Sequence, residues 1–411
     1  MIPTTSDLAA RVMARCDDLA GQSEESGRLT RRYGTPALRA AQEMTAGWMR
    51  EAGLTVRRDA PGNLIGRRHA IAPGAKTLLL GSHLDSVRDA GRYNGPMGVL
   101  VAIAAVEALA ETRLPVAIEI YAFADEEGLR FHTSYLGSRP LVGALDPATL
   151  EVRDEEGVSV AEAMRAFGGD PGAIGSARRD PATLLGYIEA HIEQGPVLER
   201  LGLPVGVVTD IIGQTKAVVT YTGTAGHAGT TPMAMRKDAL AAAAEFTLAV
   251  ESTGNAAPGL VATVGRLTVE PGATNVIPGR VALSLDIRHA DDATWRKAFA
   301  DLVSEAERIA DRRGDEVELA TVMETPGVAC DPALTAALER AISAAGLPPH
   351  RLVSGAGHDA VPLSGEMPVA MLFVRCKDGL SHNPAESITA DNCGVAIDVL
   401  RRTILSLAES A

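Results

Sequence analysis

Cysteine and aromatic residues are scarce in this chain of 411 residues. The four cysteines lie far apart and form no CxxC pair, so the sequence suggests neither a disulfide framework nor a thiolate metal site. Aromatic residues make up only 3% of the chain, whereas hydrophobic residues together make up 46%. We therefore expect a core built mainly from aliphatic side chains.

Positive charge and long apolar runs are also lacking. The 39 Lys and Arg residues are outnumbered by 52 Asp and Glu residues, and the resulting net charge of −13 disfavours binding to nucleic acid or anionic membranes. No apolar stretch reaches the roughly 18 residues of a membrane-spanning helix. The first residues do not resemble a signal peptide. We expect a cytoplasmic protein with no nucleic-acid or membrane partner.

The order of predicted elements favours an α/β fold. Apolar residues at helical spacing predict helices within residues 5–54, and the continuous apolar runs 77–80 and 116–124 are typical of strands buried on both faces. A helix predicted over 97–109 connects these two strands. Such a strand, helix, strand unit predicts a mainly parallel mixed sheet covered by helices.

A different pattern follows in the middle of the chain. The predicted elements are a strand at 217–222, a helix at 236–251, strands at 260–269 and 280–288, a helix at 292–313 and a strand at 317–322. This β-α-β-β-α-β order is ferredoxin-like. Because a chain of 411 residues favours at least two domains, we expect a catalytic domain formed by residues 1–214 and 326–411. An inserted α+β domain at 215–325 would interrupt it.

Polar residues follow both predicted buried strands of the first domain. His83 and Asp85 come after one strand, at the end of a sheet where ligands bind in open α/β folds. Asp125, Glu126 and Glu127 come after the other. Three adjacent carboxylates are costly unless a cation lies among them or some become protonated. A hydrogen-bonded loop pair and a solvated acidic turn are the structural alternatives to a functional site.

Two further histidines have similar surroundings. His191 follows a predicted strand at 185–190, and His382 lies in a loop rich in Gly and Pro. Taken singly, each is more typical of a structural histidine. Together with His83 and Glu127 they make three imidazoles and a carboxylate, a ligand set suited to zinc, or to manganese, cobalt or nickel.

Nine segments of the sequence resemble one family: the amidase, hydantoinase and carbamoylase branch of the zinc aminopeptidase-like superfamily. Its members include N-carbamoyl-L-amino-acid hydrolases, allantoate and ureidoglycine amidohydrolases, and β-ureidopropionases. The resemblance implies a zinc-aminopeptidase-like fold whose inserted domain serves as lid and dimerisation domain. The segments, in chain order, are GSHLDS, YNGPMGVL, FADEEGLRF, HIEQGPVLE, GTAGHAGTTPM, TNVIPG, DIRH, GAGHDA and KDGLSHNP.

The resemblance implies a metal centre with one or two ions per subunit. His83 and His191 match the ligands of one ion, and Glu127 and His382 match the ligands of the second. At Asn94 the chain departs from the family, which places there an Asp that bridges the two ions. An amide offers one neutral oxygen, so metal binding should weaken. A deliberate substitution, a natural enzyme that works with one metal or a weakly held pair, and a homologue that has lost hydrolysis all remain open.

The resemblance also implies a role for two acidic residues. Glu126 matches the general base, which accepts a proton from the attacking water and passes it to the departing nitrogen. Asp85 matches the carboxylate that orients His83 through its other ring nitrogen.

Substrate recognition is expected to involve both domains. Arg288 is the candidate for binding a substrate carboxylate, because guanidinium pairs well with planar anions. The resemblance adds Gln194 and Asn275 as amides that hold the rest of the substrate, and His227 as a histidine that reaches the partner's active site in a homodimer and stabilises the oxyanion. His358 belongs to another family segment and is predicted to approach the substrate.

The leading functional prediction is hydrolysis of a linear amide or ureido C–N bond in a small N-carbamoyl or ureido carboxylic acid. Two alternatives remain at this level. A metal-impaired homologue could act as a small-carboxylate binding protein, which Asn94 favours and the intact acids and histidines oppose. A di- or aminopeptidase is the other, although the segments HIEQGP and GHAGTTPM favour the carbamoylase branch.

Overall fold

The computed structural model describes residues 3–410. Met1, Ile2 and Ala411, which the predicted domain ranges include, lie outside the described residues. The α-helices are α1 (Thr5–Ala20), α2 (Pro36–Glu51), α3 (Pro96–Glu107), α4 (Val160–Ala166), α5 (Val197–Leu201), α6 (Ala239–Ala256), α7 (Asp292–Arg313), α8 (Pro332–Ala344), α9 (Ala360–Leu363) and α10 (Ala390–Glu409). Short 3-10 helices cover Arg139–Val142, Pro147–Glu151, Pro171–Ala177, Pro181–Thr183, Met233–Met235 and Lys377–Gly379.

The strands alternate with these helices over most of the chain. They are β1 (Thr55–Arg58), β2 (Leu64–Arg68), β3 (Thr77–His83), β4 (Ala117–Phe123), β5 (Leu184–Ile192), β6 (Val205–Ile211), β7 (Gly213–Thr222), β8 (Gly226–His227), β9 (Val261–Thr263), β10 (Leu267–Glu270), β11 (Val276–Ile277), β12 (Arg280–His289), β13 (Glu316–Thr325), β14 (Val328–Ala329), β15 (Arg351–Ser354) and β16 (Val369–Val374). The chain separates into two compact units, one formed by Met1–Thr209 with Cys330–Ala411 and the other by Asp210–Ala329.

The first unit is built on a mixed sheet. Its strands lie in the order β1-β2-β4-β3-β5-β16-β6, and β15 also pairs with β6. The central strands β4, β3, β5 and β16 are parallel to one another, whereas β1 pairs antiparallel with β2, β2 with β4, and β6 with β16. Strands β3 and β4 are buried along their entire length, so both of their faces are covered. The predicted fold class, a mainly parallel mixed sheet with helices, is confirmed.

The central strands extend further than the apolar runs suggest. Pairing of β3 with β4 continues to His83, and pairing of β5 with β16 continues through His191. Both histidines therefore lie within strands and not in the following loops. Helix α3 packs against β3 and β5. The helix comes close to β5 at Gly98, which has no Cβ; a Cβ there would lie 2.0 Å from the carbonyl oxygen of Ala190.

The second unit contains an antiparallel sheet in the order β10-β12-β7-β13, with β9 also paired to β12. The burial of side chains alternates along β7 and β12, as expected for a sheet with one covered face. Helices α6 and α7 pack on this sheet around Phe246 and Trp295. The single strand predicted at 260–269 is wrong. It divides into β9 and β10 around Gly265, and both halves pair with β12.

All four cysteines are buried as free thiols. Among residues 3–410, no helix combines the length and apolar character needed to cross a bilayer.

Arg31 supports the loop that follows β3. Its guanidinium is buried, and it donates to the carbonyl oxygens of Leu84 at 2.6 Å, Leu19 at 2.7 Å and Gln22 at 3.1 Å. Burial lowers the pKa of Arg31 to about 10, against the opposing effect of Asp85, so the side chain stays charged at neutral pH. The loop carrying Asp85 is thereby tied to the end of α1.

We predict that Arg31→Met lowers the free energy of unfolding by about 3 kcal/mol, because two buried carbonyl groups and one partly buried carbonyl group lose a charged donor. Denaturant unfolding followed by circular dichroism measures the change. Arg28→Met, at an exposed position on the same segment, is the control and should change the stability by less than about 0.5 kcal/mol. Equal effects of the two substitutions would show that Arg31 does not hold the loop.

Candidate metal centre

His83, the last residue of β3, has one ring nitrogen already engaged. Its Nδ1 lies 3.1 Å from the backbone oxygen of Asp85 and 3.3 Å from Oδ1 of the same residue. The ring lies against Gly95, where a Cβ would stand 2.5 Å from His83 Cε1, and the positive φ of Gly95 (83°) also favours glycine. This arrangement leaves Nε2 of His83 as the nitrogen that could bind a metal.

The acidic residues after β4 are held by the same aspartate. The backbone N–H groups of Glu126 and Glu127 donate to Oδ1 and Oδ2 of Asp85, each at 3.0 Å. As a result, one ligand atom from each of His83, Glu126 and Glu127 lies within 4.8 Å of the others. Two carboxylates and an imidazole at this separation are suited to a divalent cation.

His191 lies beside His83 on the neighbouring strand. The two rings are stacked, with centroids 5.8 Å apart and planes inclined by 25°. Nδ1 of His191 is 2.9 Å from the carbonyl oxygen of Ile192, which leaves Nε2 for a ligand. Burial, followed by the charge of His83, lowers the pKa of His191 to about 3, so its ring is neutral, the form that binds metals.

His382 approaches from the loop that follows β16. Its Nε2 lies 3.3 Å from Oε1 of Glu127. The residue has a positive φ of 53°, and it is more exposed than the other candidate ligands. The structure therefore brings His83, His191, Glu127 and His382 to the same edge of the sheet, from strands and loops that are far apart in the sequence.

Burial and the charges of neighbouring groups shift the pKa values of these residues in different directions. Burial and then Glu127 raise the pKa of Glu126 well above its ordinary value. Burial acts on Glu127 in the same direction, but the hydrogen bond with His382 and the charge of His83 lower its pKa. Burial of His83 is outweighed by Asp85 and both glutamates, which raise the pKa of the imidazole. A divalent cation at this position would offset the negative charge of the two glutamates.

Asn94 belongs to a hydrogen-bond network. Its side-chain Nδ2 donates to Ser381 Oγ at 3.1 Å, and Gln194 Nε2 donates to the same hydroxyl at 3.0 Å. Ser381 Oγ in turn donates to Glu386 at 3.1 Å, and the other oxygen of Glu386 accepts the backbone N–H groups of Tyr93 and Asn94. A hydroxyl has one proton and two acceptor sites, so every hydrogen-bonding position of Ser381 is used. The Asn94 amide consequently has its nitrogen towards Ser381 and its carbonyl oxygen available.

His358 lies behind His191. Its ring is buried, 4.6 Å from the His191 ring centroid, and its Nε2 is 2.8 Å from Ser354 Oγ. Burial and the two neighbouring histidines, His191 and His83, lower the pKa of His358 well below its ordinary value. It contacts a candidate ligand, and its predicted approach to the substrate stays a prediction.

The remaining predicted residues belong to the second unit. His227 and Asn275 come together there: β8 pairs with β11, and the N–H of Ala228 donates to the carbonyl oxygen of Asn275 at 3.0 Å. His227 is exposed and lies in a short strand, not in a loop, and its Nδ1 accepts the N–H of Gly229 at 3.0 Å. Arg288 on β12 donates through Nε and Nη2 to both carboxylate oxygens of Asp286, each at 2.8 Å.

Sequence reasoning predicted Asp85 but missed Ser381 and Glu386, which hold Asn94 in place. Ser381 and Glu386 flank His382 in the segment SHNPAE, and this proximity to a candidate ligand was the only signal in the sequence. The structure shows a close contact between Gly91 and Glu386. A Cβ on Gly91 would lie 2.4 Å from the Glu386 side chain.

Comparison with known proteins identifies the family. The profile of Peptidase family M20/M25/M40 matches residues 79–406, and the chain belongs to this family. It is 44% identical over 390 residues to an N-carbamoyl-L-amino acid amidohydrolase of Geobacillus stearothermophilus, covering 94% of this chain and 95% of that protein. It is 38% identical over 426 residues to an allantoate deiminase of Arabidopsis thaliana, covering 95% and 80%.

A solved structure agrees with these relatives. An amidase of the hydantoinase/carbamoylase family from Burkholderia multivorans matches with a TM-score of 0.90 and 35% identity, covering 97% of this chain and 98% of that chain. The resemblance expected from the nine sequence segments is confirmed.

We predict that Asp85→Ala lowers the affinity for zinc by about 10–100-fold, because the loss of this carboxylate frees both His83 and the two backbone N–H groups it holds. Competition with a chromogenic chelator measures the affinity without reference to activity. Asp17→Ala removes an exposed aspartate paired with Arg92 on the surface and serves as the control. Unchanged zinc affinity in Asp85→Ala would contradict the role assigned to this carboxylate.

Proposed function

We propose that the chain is a metal-dependent hydrolase of the linear amide or ureido C–N bond in a small N-carbamoyl or ureido carboxylic acid. The observation that carries the proposal is the cluster of His83, Glu126 and Glu127, whose ligand atoms lie within 4.8 Å of one another. The names of the relatives, an N-carbamoyl-L-amino acid amidohydrolase and an allantoate deiminase, support it. From an N-carbamoyl amino acid, the products would be carbon dioxide, ammonia and the free amino acid.

The cofactor in this proposal is zinc, or else manganese, cobalt or nickel. His83 and His191 would hold one ion, and Glu127 and His382 would hold a second. When bound, the metal supplies Lewis-acid polarisation of the substrate carbonyl and lowers the pKa of the attacking water.

Glu126 is the proposed general base. Burial and the charge of Glu127 raise the pKa of Glu126, which makes its carboxylate a stronger proton acceptor. Glu126 would take a proton from water as the water attacks the carbonyl carbon, and then deliver it to the departing nitrogen. The backbone N–H of Glu126 donates to Asp85 Oδ1 at 3.0 Å. This hydrogen bond fixes the position of Glu126 and leaves its carboxylate for proton transfer.

Asn94 is proposed to weaken one of the two metal positions. The amide nitrogen donates to Ser381, so a metal would meet the neutral carbonyl oxygen. Such an oxygen offsets less of the repulsion between two dications than a bridging carboxylate does. The chain would therefore hold one ion firmly and a second one weakly.

We predict that Asn94→Asp raises the rate of ammonia release by at least ~100-fold, about 2.7 kcal/mol in the barrier, and raises the metal content per chain. A panel of N-carbamoyl amino acids, allantoate and dipeptides, together with elemental analysis, makes both measurements. Asn255→Asp applies the same chemical change at an exposed helix position and should alter neither. Adding Glu126→Gln to Asn94→Asp should abolish turnover.

The outcomes separate the competing functions. Equal rates before and after Asn94→Asp would refute the role of Asn94. Absence of ureido hydrolysis in both proteins would favour a binding protein, and selective cleavage of dipeptides would favour a peptidase.

The proposed substrate carboxylate binds Arg288, and Gln194 and Asn275 hold the rest of the substrate. The carboxylate would share Arg288 with Asp286, which already accepts two hydrogen bonds from it. We further propose a homodimer in which His227 completes the active site of the other subunit. The exposure of His227 supports this role. Its hydrogen bond with Gly229 engages Nδ1 and not Nε2, so Nε2 is the ring nitrogen proposed to act on the substrate.

We predict that two inactive variants, His227→Ala and Glu126→Gln, regain activity when they are mixed after mild dissociation. A random mixture contains half heterodimers, each with one site that has both an intact Glu126 and an intact His227, so roughly a quarter of the wild-type activity should return. Ammonia release and light scattering follow activity and assembly. No recovery in a mixture that does form heterodimers would show that His227 does not act across the interface.

A further inference from the structure

A cavity of about 560 Å³ adjoins the candidate metal centre. We call it the side pocket. Its wall includes His382, Ser381 and Gln194, and it continues to Val197, Leu352 and Val353. All of its lining residues belong to the unit formed by Met1–Thr209 with Cys330–Ala411. The side pocket therefore starts at a proposed metal ligand and ends among aliphatic side chains.

The far wall of the side pocket is apolar and open. Val197 is 42% exposed and Val353 is 43% exposed, which is unusual for two branched aliphatic residues on one concave surface. Leu352 and Leu380 add further apolar lining. Covering this surface with an apolar group would stabilise a complex by removing the surface from water.

The side pocket is poorly suited to an anionic ligand. Its described lining contains no Lys or Arg. The carboxylate of Glu193 accepts the N–H groups of Val197 at 2.6 Å and Leu198 at 2.9 Å, so it is used at the start of α5. A second carboxylate or a second ureido group placed here would lose its hydration without gaining partners on the aliphatic wall.

Gln194 presents a hydrogen-bond acceptor at the entrance. Its Nε2 donates to Ser381 Oγ at 3.0 Å, because the proton of that hydroxyl is directed to Glu386. Its Oε1 is buried and has no hydrogen-bond partner among residues 3–410. A buried acceptor of this kind costs free energy until a donor reaches it, and an N–H group of a ligand is such a donor.

We propose, on the basis of the proposed function, that the preferred substrates are N-carbamoyl amino acids with a bulky aliphatic or aromatic side chain. The substrate side chain occupies the side pocket against Val197, Leu352 and Val353. The N–H between the carbamoyl group and the α-carbon donates to Gln194 Oε1. Allantoate, which carries a second ureido group in place of an apolar side chain, fits this wall poorly.

The first test compares ligands for binding as well as turnover. Isothermal titration of Glu126→Gln, with zinc present, should show N-carbamoyl-L-leucine and N-carbamoyl-L-phenylalanine binding at least ~30-fold more tightly than N-carbamoylglycine or allantoate. The same order should appear in kcat/KM of the active protein. Equal or tighter binding of allantoate overturns the inference and leaves the hydrolase proposal intact. Selective binding without any ureido hydrolysis supports the side pocket and refutes the hydrolase proposal.

The second test uses a pair of matched variants on α5. Val197→Asn should reduce the preference for leucine over glycine by about 10-fold, mainly through KM, because it places an amide on the apolar wall. Leu201→Asn makes the same kind of change at a residue of α5 that is 51% exposed and lies outside the side pocket; it should leave the preference unchanged. Identical behaviour of the two variants overturns the proposal.

The third test addresses the acceptor on Gln194. N-carbamoyl-N-methyl-L-leucine lacks the N–H that Gln194 is proposed to accept, so it should bind at least ~10-fold more weakly than N-carbamoyl-L-leucine. In Gln194→Ala this difference should shrink to about 2-fold, because the acceptor is absent from the variant. An undiminished difference in Gln194→Ala would show that the N–H is recognised elsewhere.

Discussion

The carboxylate of Asp85 is the constraint on which the candidate centre depends. Its two oxygens accept the N–H groups of Glu126 and Glu127, and one of them also lies 3.3 Å from Nδ1 of His83. One side chain thus connects the end of β3 to the end of β4. Without it, the loop that carries Glu126 and Glu127 would lose two backbone hydrogen bonds. The geometry of the proposed metal ligands therefore depends on a residue that is not itself a proposed ligand.

Buried polar groups surround this centre, and those that support its loops are hydrogen-bonded. Arg31 supports the Asp85 loop through carbonyl oxygens, and Glu386 supports Asn94 through a backbone N–H and through Ser381. Such satisfaction is expected because an unpaired polar group away from water is costly. Gln194 Oε1, at the entrance to the side pocket, has no partner among residues 3–410, and neither does one carboxylate oxygen of Asp125 or of Asp359. Of these three atoms, the Gln194 oxygen belongs to a residue that lines the side pocket, and we propose that a ligand N–H reaches it there.

Asn94 illustrates how one change can alter a centre while its surroundings persist. The supporting residues keep the amide in place, and its carbonyl oxygen can still serve as a ligand. Only the negative charge is missing, so the expected consequence lies in the affinity and number of ions and not in the fold. The overall family resemblance, 44% identity to one relative over nearly the full chain, is unaffected by this position.

The sequence by itself determined the mixed sheet, the strand ends that carry His83 and Glu126, and the family. Long apolar runs identify buried strands, and the carboxyl ends of parallel strands meet at one edge. The division of 260–269 into two strands was missed because side-chain periodicity does not reveal pairing with β12. Only the tertiary structure decided the partners of Asn94, since the Asn94 and Glu386 that share a hydrogen bond are 292 positions apart. Contacts over such distances depend on how the chain folds back, which local patterns do not encode.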